Sequence, residues 1–175
     1  MTFTQFQESL SDYARDIKLN LQTVLTPEGA PGLTPSQIFG TALAAAYATR
    51  DKAVVEAISD ASSAVLSDAE REAAKAAAVI MAMNNVYYRT LHHSDNAELT
   101  KLPARLRMNV IGKPGIAKVD FELYCTGVSA MNGCARCVNS HVAEVLKNGV
   151  SIEGVQSAIR IAAVIQAAGQ AHFVG

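Results

Sequence analysis

The stretch Glu122-Leu-Tyr-Cys125-Thr-Gly-Val-Ser-Ala-Met-Asn132-Gly133-Cys134-Ala-Arg136-Cys137-Val-Asn-Ser-His141 decides how this chain folds. Positions 119 to 131 read as a helix that stops at Asn132-Gly133, a pair suited to a left-handed C-terminal cap. A second helix begins at or near Cys134, runs to about Lys147 and stops at Asn148-Gly149. Two helices joined by so short a break can fold back on each other, which would bring Glu122 to the helix that carries His141 and the two cysteines.

The same punctuation recurs on both sides. Phe3, Phe6, Leu10, Tyr13, Ile17 and Leu21 recur at spacings of three and four, the period of one amphipathic helix, and Pro27, Gly29, Pro31 and Gly32 end it in a loop. Thr34-Pro35-Ser36-Gln37 combines an N-cap, a proline at the first helical position and a capping-box glutamine, so a helix follows to about Ala48, with a short one from Lys52 to about Ile58. Ser67-Asp68-Ala69-Glu70 is a second capping box and opens a long helix to Tyr88 or Thr90. Leu102-Pro103 and Lys113-Pro114-Gly115 break the pattern between 91 and 118 into a loop with one short helix. Ser151 caps the last helix, expected to reach about Ala168. No segment alternates with the period of a strand, so the class is all-α. The segment from Lys75 to Asn85 resembles that from Arg160 to Gln170, which raises two related helical halves as one organisation of the domain; the other account is that alanine-rich helices resemble one another.

Composition narrows the possibilities further. A chain of 175 residues fits a single domain, 1–175, long enough to close a core. Half of it is apolar, 6% is aromatic, there is no Trp, and 30 residues are Ala, so the core must be built from small side chains on closely packed helices. A net charge of −1 offers no basic surface for nucleic acid. The longest apolar run, Ala76 to Met83, is far short of the ~20 residues of a membrane span. Met-Thr-Phe-Thr-Gln-Phe-Gln-Glu has neither the basic nor the apolar part of an export signal, and three cysteines are an odd number for a disulfide-stapled secreted scaffold. The expectation is a cytoplasmic protein.

In that compartment a Cys-x-x-Cys pair is redox-active or metal-binding more often than structural. At about 100° per residue, Cys134, Cys137 and His141 fall on one stripe of their helix. The stripe begins where unpaired N–H groups and the positive end of the helix dipole favour a thiolate. Two thiols three residues apart can also close a disulfide. Proximity to the helix terminus favours Cys134 as the attacking sulfur, whereas an imidazole one turn away favours Cys137. We assign Cys137 as the nucleophile and Cys134 as its resolving partner, with Glu122 fixing the His141 tautomer and relaying protons. Glu144, one turn from His141, is a rival partner for the ring, although a solvated glutamate is the plainer account.

The same residues admit a second chemistry. Cys134, Cys137 and His141 are a zinc half-site that Glu122 or His172 could complete, although three ligands so close on one helix make an awkward tetrahedron. Cys125 reads as a small buried hydrophobe, His92-His93 as partners of a helix C-terminus, and His172 as peripheral.

The combined pattern Glu122-x11-Cys134-x-x-Cys137-x-x-x-His141, with the Phe121-Glu122-Leu123 start and the Asn132-Gly133-Cys134 junction, resembles the alkyl hydroperoxide reductase AhpD family, within the carboxymuconolactone decarboxylase-like superfamily. The resemblance covers essentially the whole chain. It implies an all-helical homotrimer that reduces organic hydroperoxides, regenerates the peroxiredoxin AhpC and takes electrons from the lipoyl group of a 2-oxoacid dehydrogenase component, with no tightly bound cofactor. Carried over by position, Cys137 matches the sulfenic-acid-forming cysteine, Cys134 its partner thiol, and Glu122 and His141 the proton relay. Where some members have a His directly before the second cysteine, this chain has Arg136, a cation that cannot shuttle protons near neutral pH. The alternative within the superfamily is a non-redox zinc-binding or lactone-processing protein. Its decarboxylases generally lack the cysteine pair.

Overall fold

Thr34, Ser67 and Ser151 each accept a backbone N–H three residues on and start a helix in the computed structural model, which describes residues 1–175. There are ten α-helices and no strands. They are α1 (Phe3–Ser9), α2 (Arg15–Val24), α3 (Pro35–Thr49), α4 (Lys52–Ala61), α5 (Asp68–His93), α6 (Glu98–Lys101), α7 (Asn109–Gly112), α8 (Lys118–Met131), α9 (Ala135–Lys147) and α10 (Ile152–Phe173).

Two segments differ from the sequence pattern. The single N-terminal helix is broken: Leu10 and Ser11 are extended, and a 3-10 turn over Asp12–Ala14 separates α1 from α2. Ser11 and Tyr13 donate to the carbonyls of Gly175 and Ala171, so the break turns this segment onto the end of α10. The stretch from 91 to 118 holds two short helices, α6 and α7, rather than one. His92 and His93 sit in the last turn of α5, as their place in the sequence implied.

Helices α3 and α8 form the middle of the bundle, packed on each other, and both touch α5 and α10. A helix with neighbours on several sides must be apolar nearly all round. In α8 every residue from Phe121 to Ser129 is buried, and in α3 so is every residue from Gly40 to Ala46. Small residues let the two axes approach. A Cβ on Gly40 would stand 2.0 Å from the Tyr124 hydroxyl, and one on Gly127 would stand 3.1 Å from Thr41 Cγ2. The core is one contiguous cluster from Phe6 to Ala171, much of it alanine, and each large side chain fully buried in it contributes about 1.5–3 kcal/mol. No helix is long and apolar enough to cross a membrane.

Candidate functional site

The joint between α8 and α9 sets the geometry of everything nearby. Gly133 has φ +64, the conformation glycine adopts without a Cβ penalty. Cys134 N–H donates to the Ser129 carbonyl at 3.2 Å and Gly133 N–H to that of Ala130 at 3.1 Å. These are the two bonds of a Schellman closure. Cys134 then serves at once as the N-cap of α9, its sulfur accepting the Cys137 N–H at 3.3 Å. One residue thus ends one cap and begins the next, so α9 folds straight back along α8. Helix α5 pins the joint from the side. Asn132 donates to Asn85 Oδ1 at 2.9 Å, its carbonyl accepts from the Arg89 guanidinium, and Asn85 donates to Ser129 Oγ at 3.0 Å.

This hairpin brings four of the sequence candidates together. Glu122 Oε2 lies 2.5 Å from His141 Nδ1, with the two residues only 5% and 8% exposed. A carboxylate accepts from Nδ1–H and so leaves Nε2 as the basic nitrogen of the neutral ring. Cys134 and Cys137 are joined in a disulfide. Cys134 is fully buried and Cys137 is 6% exposed. The exposed part of Cys137 opens on a cavity of about 450 Å³ that also receives Glu122, His141, Tyr88, Met108 and Ile111.

Helix α5 is the wall that motif reasoning missed. Met81, Asn84, Asn85 and Tyr88 recur on it at helical spacing and face the hairpin. Met81 is fully buried, with its sulfur 3.2 Å from His141 Nε2 and accepting from Ser129 Oγ at 3.3 Å. A thioether only accepts, so Nε2 finds a partner in Met81 once the ring has taken up a proton. The Asn84 carbonyl oxygen is 3.9 Å from Cys137 Sγ. Tyr88 lies under the Arg136 guanidinium, 5.3 Å from its ring centroid, a cation–π contact at the cavity mouth. The signal for this wall was present as polar residues, Asn84-Asn85, in the middle of an otherwise alanine-rich helix.

The other candidates make different contacts. Glu144, the rival partner for His141, instead pairs with Lys118 at 3.1 Å, which holds its carboxyl below the usual range. His172 is bound to Asp51 at 2.8 Å and packs on Phe6, so it is not a fourth ligand of the cysteine pair and lies apart from the site, as expected. No group of three or more His, Cys, Asp and Glu side chains is disposed to hold a metal ion. Cys125 is fully buried, and burial, reinforced by the nearby Glu122, pushes its thiol far up, consistent with a packing role.

Comparison with known proteins gives the family. The model of the carboxymuconolactone decarboxylase family matches residues 97–173, which include the whole α8–α9 hairpin. A protein of Rhodospirillum centenum named alkyl hydroperoxide reductase AhpD is 52% identical over 95% of this chain and 88% of its own length. Proteins of the same name from Coxiella burnetii and Streptomyces griseus are 47% and 46% identical, each over 97% of this chain and over 96% and 94% of their own lengths respectively. With relatives this similar along nearly the full length, the chain belongs to the alkyl hydroperoxide reductase AhpD family.

Proposed function

We propose that this chain is a lipoyl-dependent thiol peroxidase that reduces organic hydroperoxides and regenerates the peroxiredoxin AhpC. The observation that carries this is the placement of Cys137: it is bridged to Cys134, yet it lines a cavity that also receives a paired carboxylate and imidazole, whereas Cys134 does not.

In the reduced protein, His141 held by Glu122 takes the Cys137 thiol proton. The thiolate attacks the distal oxygen of the hydroperoxide, the O–O bond breaks, and Cys137 becomes a sulfenic acid. The alkoxide leaves with the proton returned by His141. Cys134 then condenses with the sulfenic acid, forming the disulfide and releasing water. A dithiol donor reverses the oxidation by exchange. Its thiolate attacks Cys137, the cysteine that lines the cavity, and Cys134 departs as a thiolate that the Cys137 N–H already caps at 3.3 Å. The second donor thiol displaces the mixed disulfide, so the donor leaves oxidised and both protein thiols are restored.

A lipoyl arm is thin, flexible and largely apolar, and Met108, Ile111 and Tyr88 offer it an apolar side of a cavity whose other residues, among them Lys118, Arg136 and Glu144, are polar or charged. The same dithiol can pass its electrons to a disulfide on AhpC. The cytoplasm, where dithiol donors are available, is the setting this chemistry requires. Exposed Val79 and Val86, in a groove shared by α3 and α5, support an apolar contact between copies, and the homotrimer is the assembly that the family resemblance implies.

Peroxide titration tests the proposal. Reduced protein given one equivalent of tert-butyl hydroperoxide should lose two thiols and gain one intramolecular bridge, and dihydrolipoamide should restore both. Thiols unaffected by the peroxide would overturn it.

A further inference from the structure

We propose that Asn84 is a further catalytic residue, whose side-chain carboxamide receives the hydroperoxide group beside Cys137; this rests on the peroxidase function proposed above. Asn84 is 4% exposed and lines the cavity that contains Cys137, Glu122 and His141. Its Oδ1 is buried and accepts from no donor in the protein. Buried amide oxygens are almost always hydrogen-bonded, so one left without a partner at a reactive centre marks a place where a ligand completes the set. The neighbouring Asn85 shows the contrast, because both ends of its amide are engaged, with Ser129 and Asn132. Asn84 is also held next to the reacting atom, its own main-chain oxygen lying 3.9 Å from Cys137 Sγ.

The chemistry of the group matches the substrate. A hydroperoxide R–O–O–H has one donor, on the distal oxygen, and acceptor pairs on both oxygens. A carboxamide offers an acceptor oxygen and a two-proton donor in one plane. In the reduced protein the carboxamide turns toward the cavity, and Oδ1, closed off in the bridged form, accepts the distal O–H and presents that oxygen to the Cys137 thiolate. The thiolate's electron pair forms the S–O bond, and the O–O pair leaves on the alkoxide, which takes its proton from His141. The distal proton stays on the sulfenic acid. Asn84 gains and loses nothing; it orients. A thiol donor that attacks the disulfide has no such O–H to place, so the residue should matter for one half-reaction only.

The test separates the two half-reactions in the full-length protein by stopped flow. Reduced wild type and Asn84→Ala are mixed with tert-butyl hydroperoxide, and the oxidised forms with dihydrolipoamide. We expect Asn84→Ala to slow the peroxide step at least tenfold while the dithiol step stays within about twofold of wild type. Asn84→Ser, which keeps a polar residue but withdraws the carboxamide, serves if the alanine variant does not fold, with the same expectation. A peroxide rate equal to wild type, or equal losses in both steps, would overturn the assignment and leave Asn84 a packing residue. Wild type inert toward the hydroperoxide would instead overturn the peroxidase function, and this assignment with it.

Discussion

Glu122 and His141 are 19 positions apart in the chain, and Oε2 of the first meets Nδ1 of the second at 2.5 Å. The contact exists because α8 and α9 close on each other through Gly133 and Cys134, so the pairing is as secure as that joint. The Glu122 carboxylate then decides which ring nitrogen is basic. Glu122→Gln keeps the shape and removes the charge. We expect the rate of bridge formation with hydroperoxide to fall about 10²-fold, the lower end for loss of positioned acid–base catalysis, with an unchanged helical circular-dichroism spectrum. An undiminished rate would take the carboxylate out of the proton path.

The roles of the two sulfurs predict different fates for their serine variants. Cys134→Ser leaves Cys137 to form a sulfenic acid with no partner to condense with, so one equivalent of hydroperoxide should give a stable product that a dimedone-type reagent labels. Cys137→Ser should neither consume peroxide nor label. Intact-mass spectrometry distinguishes them by a single adduct. The opposite pattern would make Cys134, the capping sulfur, the nucleophile.

Much of this site was legible from the order of residues alone, for a physical reason. Caps and glycine closures are local devices, and Thr34, Ser67, Ser151 and Gly133 each act within a few positions of themselves. The stripe of Cys134, Cys137 and His141 is likewise a property of one helix. What spacing cannot give is which distant helix completes a site. Met81, Asn84 and Tyr88 sit on α5, about fifty positions before the cysteines, and nothing local says that their face meets α9. The break between α1 and α2 was hidden for the same reason, because Ser11 and Tyr13 find their partners at the opposite end of the chain.

The crossing of α3 and α8 depends on a missing side chain. A Cβ at Gly40 would press into the ring and hydroxyl of Tyr124, at 2.0 to 2.4 Å, and Tyr124 is fully buried with no room to withdraw. Gly40→Ala gains helix propensity, worth up to about 1 kcal/mol. Overpacking a closed core costs about 1–3 kcal/mol, and we expect it to win because the obstacle is a ring held on all sides. Urea denaturation should show a net loss of about 1–2 kcal/mol. Because Tyr124 is two positions from Glu122 on α8, the variant should also lose peroxide reactivity beyond what its stability alone explains. A more stable Gly40→Ala would mean that α3 and α8 can separate without cost.

Asp51 ties α4 to α10 at the far end of the bundle. Its carboxylate caps α4, accepting from the N–H groups of Ala53 at 2.8 Å and Val54 at 3.1 Å, and it holds His172 of α10 at 2.8 Å. Burial pushes its carboxyl upward, but the bonds from His172 and from the two amides outweigh that and leave it below the ordinary value. A carboxyl lowered in the native state contributes stability that is present above its unfolded value, near 3.9, and is lost as pH falls through the native one. Asp51→Ala should therefore cost about 1 kcal/mol at pH 7, the usual cost of an N-cap, and the gap from wild type should narrow at pH 3. Asp51→Asn keeps a capping oxygen without the charge, so its smaller deficit at pH 7 should also shrink at pH 3. Denaturant midpoints of the three proteins at both pH values measure this, and a gap that stayed constant would mean that the Asp51 charge does not stabilise the fold.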